Sequence, residues 1–326
     1  MPEAVPGGSP QVVVIGSVNI DHVVVADAFP SPGETVLGRT AYVTLGGKGA
    51  NQAAAAASGG VRTAMIARVG EDAEADRARA RLVAGGVDVD AVTTVSGAET
   101  GTAWITTAAG DNTIVVVAGA NHQWPSEGDP TEGLGAQAAV VMAQLEIPLD
   151  VVRRAADACR GRFLLNAAPA AELPDDLIAR CDVLIVNEHE QAVVSGRSAT
   201  DAAAEDVGGA PETAAVRKAH DVLRARGAKA VVTTLGEAGA VVTDADGVST
   251  ALRAVPATVV DTTGAGDAFA GVLAARLAAG DSLLDAARLG IAAGSMAVRV
   301  SGAPQQYADL ATLRAFAATA PPIEKD

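Results

Sequence analysis

Six stretches of this chain are almost uninterrupted runs of apolar residues at strand length: QVVVIGSV (11–18), TAMIARVG (63–70), AVVMAQLE (139–146), RFLLNAA (162–168), DVLIVNE (182–188) and AKAVVTTLG (228–236). A strand with one face in water alternates apolar and polar residues, whereas one that is apolar at successive positions is buried on both faces. Helix-forming segments lie between the runs. They include GANQAAAAAS, which ends at Gly59-Gly60, and a charged stretch from about Asp72 to Ala84. Repeated alternation of strand and helix demands a mostly parallel sheet with helices on both faces, so the predicted class is α/β with one main domain over residues 11–320.

Two segments break the alternation. DHVVVADAF and ETVLGRTAYVTL, separated by the turn Pro30-Ser31-Pro32-Gly33, read as half-exposed strands, and residues 100–118 read as a hairpin with Gly110-Asp111-Asn112 at or near its tip. Residues 239–255 form a further hairpin turned at Asp246-Gly247, which makes the sheet mixed at one edge. The tail is helical, and the Ala-, Gly- and acid-rich residues 198–214 read as a solvated surface insertion.

Composition excludes several function classes. The net charge of −15 and the scattered basic residues leave no footprint for a nucleic-acid backbone. Two cysteines, Cys159 and Cys181, make no disulfide framework, and four histidines without ligand spacing make no zinc site. Residues 1–10 read as a disordered start without a leader, and no apolar run reaches membrane-spanning length. The expected location is cytoplasmic.

Three stretches carry candidate chemistry. In LGGKGANQ (45–52), Lys48 stands between glycines at a helix start. The spacing is wrong for a phosphate-binding P-loop, because Gly49 follows Lys48 and Tyr42 stands where the first glycine should be. The first strand also lacks the dinucleotide fingerprint. What remains is either a ligand-gripping loop or a flexible turn feeding an Ala-rich helix. In DTTGAGD (261–267), a Gly-rich turn at a helix start offers unpaired amides to an anion. Asp267 beside it is either a general base or a helix cap. In NEHE (187–190), Asn187 and Glu190 offer oxygens to a hydrated divalent cation, or form an N-cap with first-turn acids.

Taken in order, GSVNIDH, PGET, GGKGANQAAA, TGTAW, GAN, QLE, LNAAPA, LIVNEHE, TLGEAG and DTTGAGDAFAG resemble the ribokinase family of ATP-dependent sugar kinases, from about residue 12 to 305. The resemblance implies a three-layer α/β/α sandwich whose small β-sheet lid, from about 19–45 and 100–118, also clasps a second subunit. It implies an enzyme that phosphorylates the 5-hydroxyl of D-ribose. Asn19 and Asp21 would hold sugar hydroxyls, and Gly47, Lys48, Gly49, Ala50 and Asn51 would grip the same ring, with phosphates bound elsewhere. Glu146 would sit near the anomeric end, under a roof of Ala103, Ile105 and Ile114. Asp267 would be the base, with the amides of Gly264, Ala265 and Gly266 as the anion hole.

The same resemblance assigns Mg-ATP to Asn187 and Glu190, and bounds the nucleotide site with Thr234, Leu235, Gly236, Glu237, Ala238, Gly239, Gly266 and Ile291. A monovalent cation, expected to be potassium, would lie near Asp261, Thr263, Ala297, Val300, Gly302 and Gln306. In this chain Pro304-Gln305-Gln306 replaces the family's Gln-Pro-Ser, and Ile291 stands where a polar residue is usual. The rival readings are a kinase for 2-deoxyribose, another furanose or a nucleoside, and a catalytically silent sugar sensor. A nicotinamide oxidoreductase lacks its glycine fingerprint.

Overall fold

A computed structural model describes residues 9–109, 111–196, 211–300, 302–303 and 306–320. Residues 1–8 of the expected disordered start, Gly110 of the expected hairpin tip, and residues 197–210 of the expected insertion lie outside them. So do Pro304 and Gln305.

In chain order the strands are β1 Val12–Ile15, β2 Asn19–Ala26, β3 Gly38–Gly46, β4 Thr63–Val69, β5 Val87–Asp88, β6 Val92–Thr94, β7 Gly101–Ala108, β8 Asp111–Val117, β9 Val140–Ala143, β10 Arg162–Asn166, β11 Val183–Asn187, β12 Val231–Thr234, β13 Ala240–Thr243 and β14 Ser249–Leu252. The large sheet runs β14-β13-β12-β11-β10-β9-β1-β4-β5, with β6 also pairing β4. Every pairing from β12 to β5 is parallel, and β12–β13–β14 is antiparallel. The six aliphatic runs therefore supply the six central strands.

Both faces are covered. Val12 and Val14 pack into one apolar cluster with α1 (Lys48–Ser58), α2 (Ala73–Ala84), and the two tail helices Ala265–Ala278 and Leu283–Ala297. Val13 and Ile15 pack into the opposite cluster with α3 (Leu149–Ala158), α4 (Asp175–Ile178) and Leu223 of the helix Pro211–Ala225. Between α4 and that helix lies α5, Glu188–Val194, so the later helices are α6 (Pro211–Ala225), α7 (Ala265–Ala278), α8 (Leu283–Ala297) and α9 (Leu310–Ala317). Residues 211–214, expected in the solvated insertion, instead open α6. Pro211 stands at its first position, where a missing N–H costs nothing.

The segments that break the alternation form a separate four-stranded sheet in the order β3-β2-β7-β8. β7 and β8 pair as a hairpin up to Ala108 opposite Asp111, so Asp111 and Asn112 are the first residues of β8. β5 and β6, two and three residues long, are invisible to pattern reading.

Candidate active site

The order of the sheet reverses at β1, because the chain continues to β4 on one side and to β9 on the other. Open α/β sheets bind ligands at such a switch, beyond the carboxyl ends of the strands. Here Ser17 follows β1 and Glu146 follows β9. Ser17 Oγ donates to Glu146 Oε2 at 2.5 Å, the Lys48 N–H donates to the same oxygen at 2.9 Å, and the Gly49 N–H donates to Ser17 Oγ at 3.2 Å. The GGKG loop is thus pinned to the switch point through a carboxylate that caps α1, whose cap residue Gly47 has no side chain to do so.

Asp21 on β2 faces this corner. A Cβ on Gly46 would lie 2.0 Å from Asp21 Oδ1, so the glycine is there to make room for the carboxylate. Burial, then the charges of Glu146 and Asp267, push the Asp21 carboxyl up to about 7. Asn121 holds the neighbouring strand end, donating to Asn19 Oδ1 at 2.7 Å and accepting from the Val18 N–H at 2.9 Å. The sheet register sets Ala103 beside Asp21 and Ile105 between Val23 and Ile114, so Ala103, Ile105 and Ile114 share the Asp21 face. Trp104 lies on the other.

Asp267, in the first turn of α7, is nearly buried at 7% exposure. Its carboxylate caps no helix. Oδ2 accepts from Asn51 Nδ2 at 3.1 Å and Oδ1 from Gln52 Nε2 at 2.9 Å, both from α1. The local-cap alternative for this residue is therefore not what the fold uses. Gly264 opens α7 at φ 78°, a left-handed conformation natural only to glycine. A Cβ on Gly266 would meet no atom, which leaves open space over the helix end. The three expected anion-hole amides are not equivalent, since the Ala265 N–H already closes the turn on the Thr262 carbonyl at 3.2 Å.

A cavity of about 210 Å³ joins these elements. It is lined by Lys48, Asn166, Ala168, Ile185, Val186, Asn187, Glu190, Thr234, Thr262, Gly264, Gly266 and Asp267. Burial alone would lower the Lys48 pKa, but Asp267, Glu146 and Glu190 together outweigh it and raise it, so the ammonium stays charged. Lys48 shares this cavity with the Gly-rich turn, so the lysine loop and the expected anion hole border one space.

Asn187 and Glu190 form a full capping box for α5: Asn187 Oδ1 accepts from the Glu190 N–H and Glu190 Oε2 from the Asn187 N–H, both at 2.8 Å. Both also line the cavity, so the cap and ligand readings coexist. Burial raises the Glu190 pKa, against the Asn187 N–H and Lys48. Among the described residues no group of three or more His, Cys, Asp or Glu side chains forms a metal site. A divalent ion here would need oxygens from a nucleotide's phosphates besides these two side chains, as magnesium commonly does.

Other expected residues are placed less centrally. Thr234 lines the cavity, whereas Leu235–Gly239 form a tight turn beyond it, with the Leu235 N–H donating to the Gly239 carbonyl at 2.8 Å. Ile291 is 7% exposed in the apolar cluster with Phe269, Leu273 and Ala287, and does not line the cavity. Of the candidate monovalent-cation residues, Asp261, Thr263 and Gly302 lie together. Asp261 accepts from the Thr263 N–H at 2.9 Å and the Gly302 N–H at 2.8 Å, and these bonds overcome burial to lower its pKa. Ala297 is buried nearby, while Val300 and Gln306 are exposed and line a separate cavity with Ala297.

Pattern reading assigned no role to Ser17, Gln52, Asn121, Asn166 or Thr262. For Asn166 a signal existed, since it is the polar residue that ends an aliphatic run at a parallel strand's carboxyl end.

The chain matches the model of the pfkB family of carbohydrate kinases over residues 9–308. It is 35% identical over 295 residues to a ribokinase of Haemophilus influenzae, covering 89% of this chain and 92% of that one. It is 35% identical over 300 residues to a ribokinase of Bacillus subtilis, covering 90% and 94%. Among solved structures it is similar to an Arabidopsis thaliana ribokinase complexed with ribose and ATP, at TM-score 0.82 and 30% identity over 95% of this chain and 99% of that one.

Proposed function

Because the chain belongs to the pfkB family of carbohydrate kinases, we infer that it is an ATP-dependent kinase that phosphorylates D-ribose at the 5-hydroxyl, giving D-ribose 5-phosphate and ADP. The observation that carries this reading is one cavity in which a buried carboxylate, Asp267, stands at a helix start opened by Gly264 and Gly266, beside the charged Lys48. The relatives' activity favours ribose over a nucleoside.

Asn19, Asp21, Asn51 and Glu146 bind the sugar, with Ala103, Ile105 and Ile114 as the roof. Asp21 is suited to a vicinal diol because a carboxylate accepts two hydrogen bonds at once. Asp267 takes the proton of the 5-hydroxyl as its oxygen bonds to the γ-phosphorus and the bond from phosphorus to ADP breaks. Lys48 and the helix-end amides offset charge on the transferred group. Magnesium accompanies ATP and neutralises phosphate charge when bound. Asn187 and Glu190 hold it, with Thr234 bounding the nucleotide. Potassium activation through the Asp261 loop, a lid function for the small sheet, a homodimer through that sheet and a cytoplasmic location belong to the same proposal. A Cβ on Gly302 would lie 3.6 Å from the Tyr42 hydroxyl of β3, so the small sheet reaches the Asp261 loop.

The test is ADP release by purified protein with Mg-ATP and ribose, 2-deoxyribose, fructose, adenosine or no sugar, in sodium or potassium. Ribose-dependent turnover is expected, stimulated by potassium. Asp267→Asn should lower kcat by about 10²–10⁴-fold with ribose still bound, the range for a general base. Equal turnover across the sugars would sink the assignment to ribose, and ribose binding without turnover would make the protein a sensor.

A further inference from the structure

Gln52 is wholly buried on α1, and its Nε2 lies between two oxygens: Asp267 Oδ1 at 2.9 Å and Asn166 Oδ1 at 2.8 Å. Only an NH₂ group, with two hydrogens, satisfies both acceptors, so the amide has one allowed orientation. The reversed amide would press Oε1 against two oxygens. Asn166 is fixed in turn, because its Nδ2 donates to the Ile185 carbonyl of β11 at 3.2 Å and so turns its Oδ1 toward Gln52. The series from the Ile185 carbonyl through Asn166 and Gln52 to Asp267 ties one carboxylate oxygen to the central sheet.

The other oxygen is held differently. Oδ2 meets Asn51 Nδ2 at 3.1 Å, and Asn51 is only partly buried. We propose that Gln52 is a positioning residue for phosphoryl transfer: it anchors Asp267 through Oδ1 so that Oδ2, released when Asn51 turns to the sugar, is the atom that receives the hydroxyl proton. The inference rests on the kinase reading. Consecutive residues of one helix thus divide the work, Gln52 as the fixed support and Asn51 as the exchangeable partner. Misplacing a base by about 1 Å costs on the order of 10²-fold in rate.

Gln52→Met keeps side-chain length and helix propensity while removing the donor. Its kcat is expected to fall about 10–100-fold with the ribose and ATP KM values within about threefold. The groups that face Asp267 are Lys48, Asp21, Glu190 and Tyr307, and all are retained in the variant. Asn166→Ala, which frees the Gln52 amide without touching α1, should lower kcat in the same way by less. It serves if Gln52→Met does not fold by circular dichroism.

The ¹³C chemical shift of the Asp267 carboxyl in the sugar-free protein reports its hydrogen bonds and needs no turnover. It should move in Gln52→Met whichever sugar is the substrate, which separates failure of this inference from failure of the ribose assignment. A kcat within threefold of the parent, a loss confined to KM, or an unmoved Asp267 carboxyl resonance would overturn the role.

Discussion

Asp21 is held where its charge is least welcome, half-buried above Gly46 and facing Glu146 and Asp267, which is why its carboxyl is pushed up to about 7. A carboxyl raised in the folded state binds its proton more tightly there than in the unfolded chain. Folding stability from this group therefore falls as pH rises from about 4 to 7, and the penalty persists above that window. Asp21→Asn removes the penalty. Its melting temperature should exceed the parent's at pH 8, by about 2–4 °C for each kcal/mol released, and should match it near pH 4. The same change should raise the ribose KM about 10–100-fold, since a charged acceptor toward a hydroxyl contributes roughly 1.5–3 kcal/mol. Differential scanning calorimetry at both pH values and steady-state kinetics check the two halves. A variant less stable at pH 8, or with unchanged KM, would show that Asp21 serves the fold and not the sugar.

Helix α6 is keyed to the sheet by His220, which bridges Thr243 Oγ1 at 2.6 Å and Thr233 Oγ1 at 2.7 Å. Burial pushes its pKa down to about 4 from 6.5. The imidazole is neutral in the fold and charges more readily when unfolded, so stability is retained above pH 6.5 and lost as pH falls toward 4, by up to roughly 1.4 kcal/mol per unit. Asp21 acts oppositely in that window, so the informative quantity is the difference between parent and His220→Gln in urea unfolding. The gap should narrow as pH drops from 7 to 4.5, and a constant gap would remove the titration. Neither that bridge nor the Gln52 support was readable in the sequence, because their partners lie on strands and helices distant along the chain. Val12–Ile15 and its counterparts were readable because burial on both faces leaves a one-dimensional record. β5 and β6 were not, since two or three residues carry no period. Asn187 and Glu190 stayed ambiguous for a physical reason: a helix cap and a cation site use the same oxygens.

At the scale of the whole molecule, the large sheet has helices on both faces, and the four-stranded sheet carries the Asp21 corner on one of its own. By register, His22, Val43, Trp104 and Val115 form one row across all four strands on the opposite face, extended by Val24 and Val117. The water-facing side of a sheet covered on one face only is ordinarily polar, and this small sheet is mixed, with β2–β7 parallel between two antiparallel pairings. Here Trp104 is 55% and Val115 64% exposed, and the His22 and Trp104 rings stack with centroids 4.4 Å apart. Such a contiguous apolar row marks an interaction surface, and a second copy of the same row, related by a two-fold axis, would cover it without needing any charge partner. The unsubstituted protein should therefore sediment at twice the 32.3 kDa chain mass. Trp104→Glu, which places a charge at the row's centre without touching the Asp21 face, should give the monomer. Because the row backs the sheet proposed to roof the sugar, separation of the copies should also raise the ribose KM by several-fold, by about 1 kcal/mol or more, while leaving the ATP KM within about twofold. Sedimentation velocity and kinetics on the same samples decide it: a monomeric parent would remove the dimer. A monomeric variant with parental KM would keep the dimer but strip it of any part in holding the roof over the sugar.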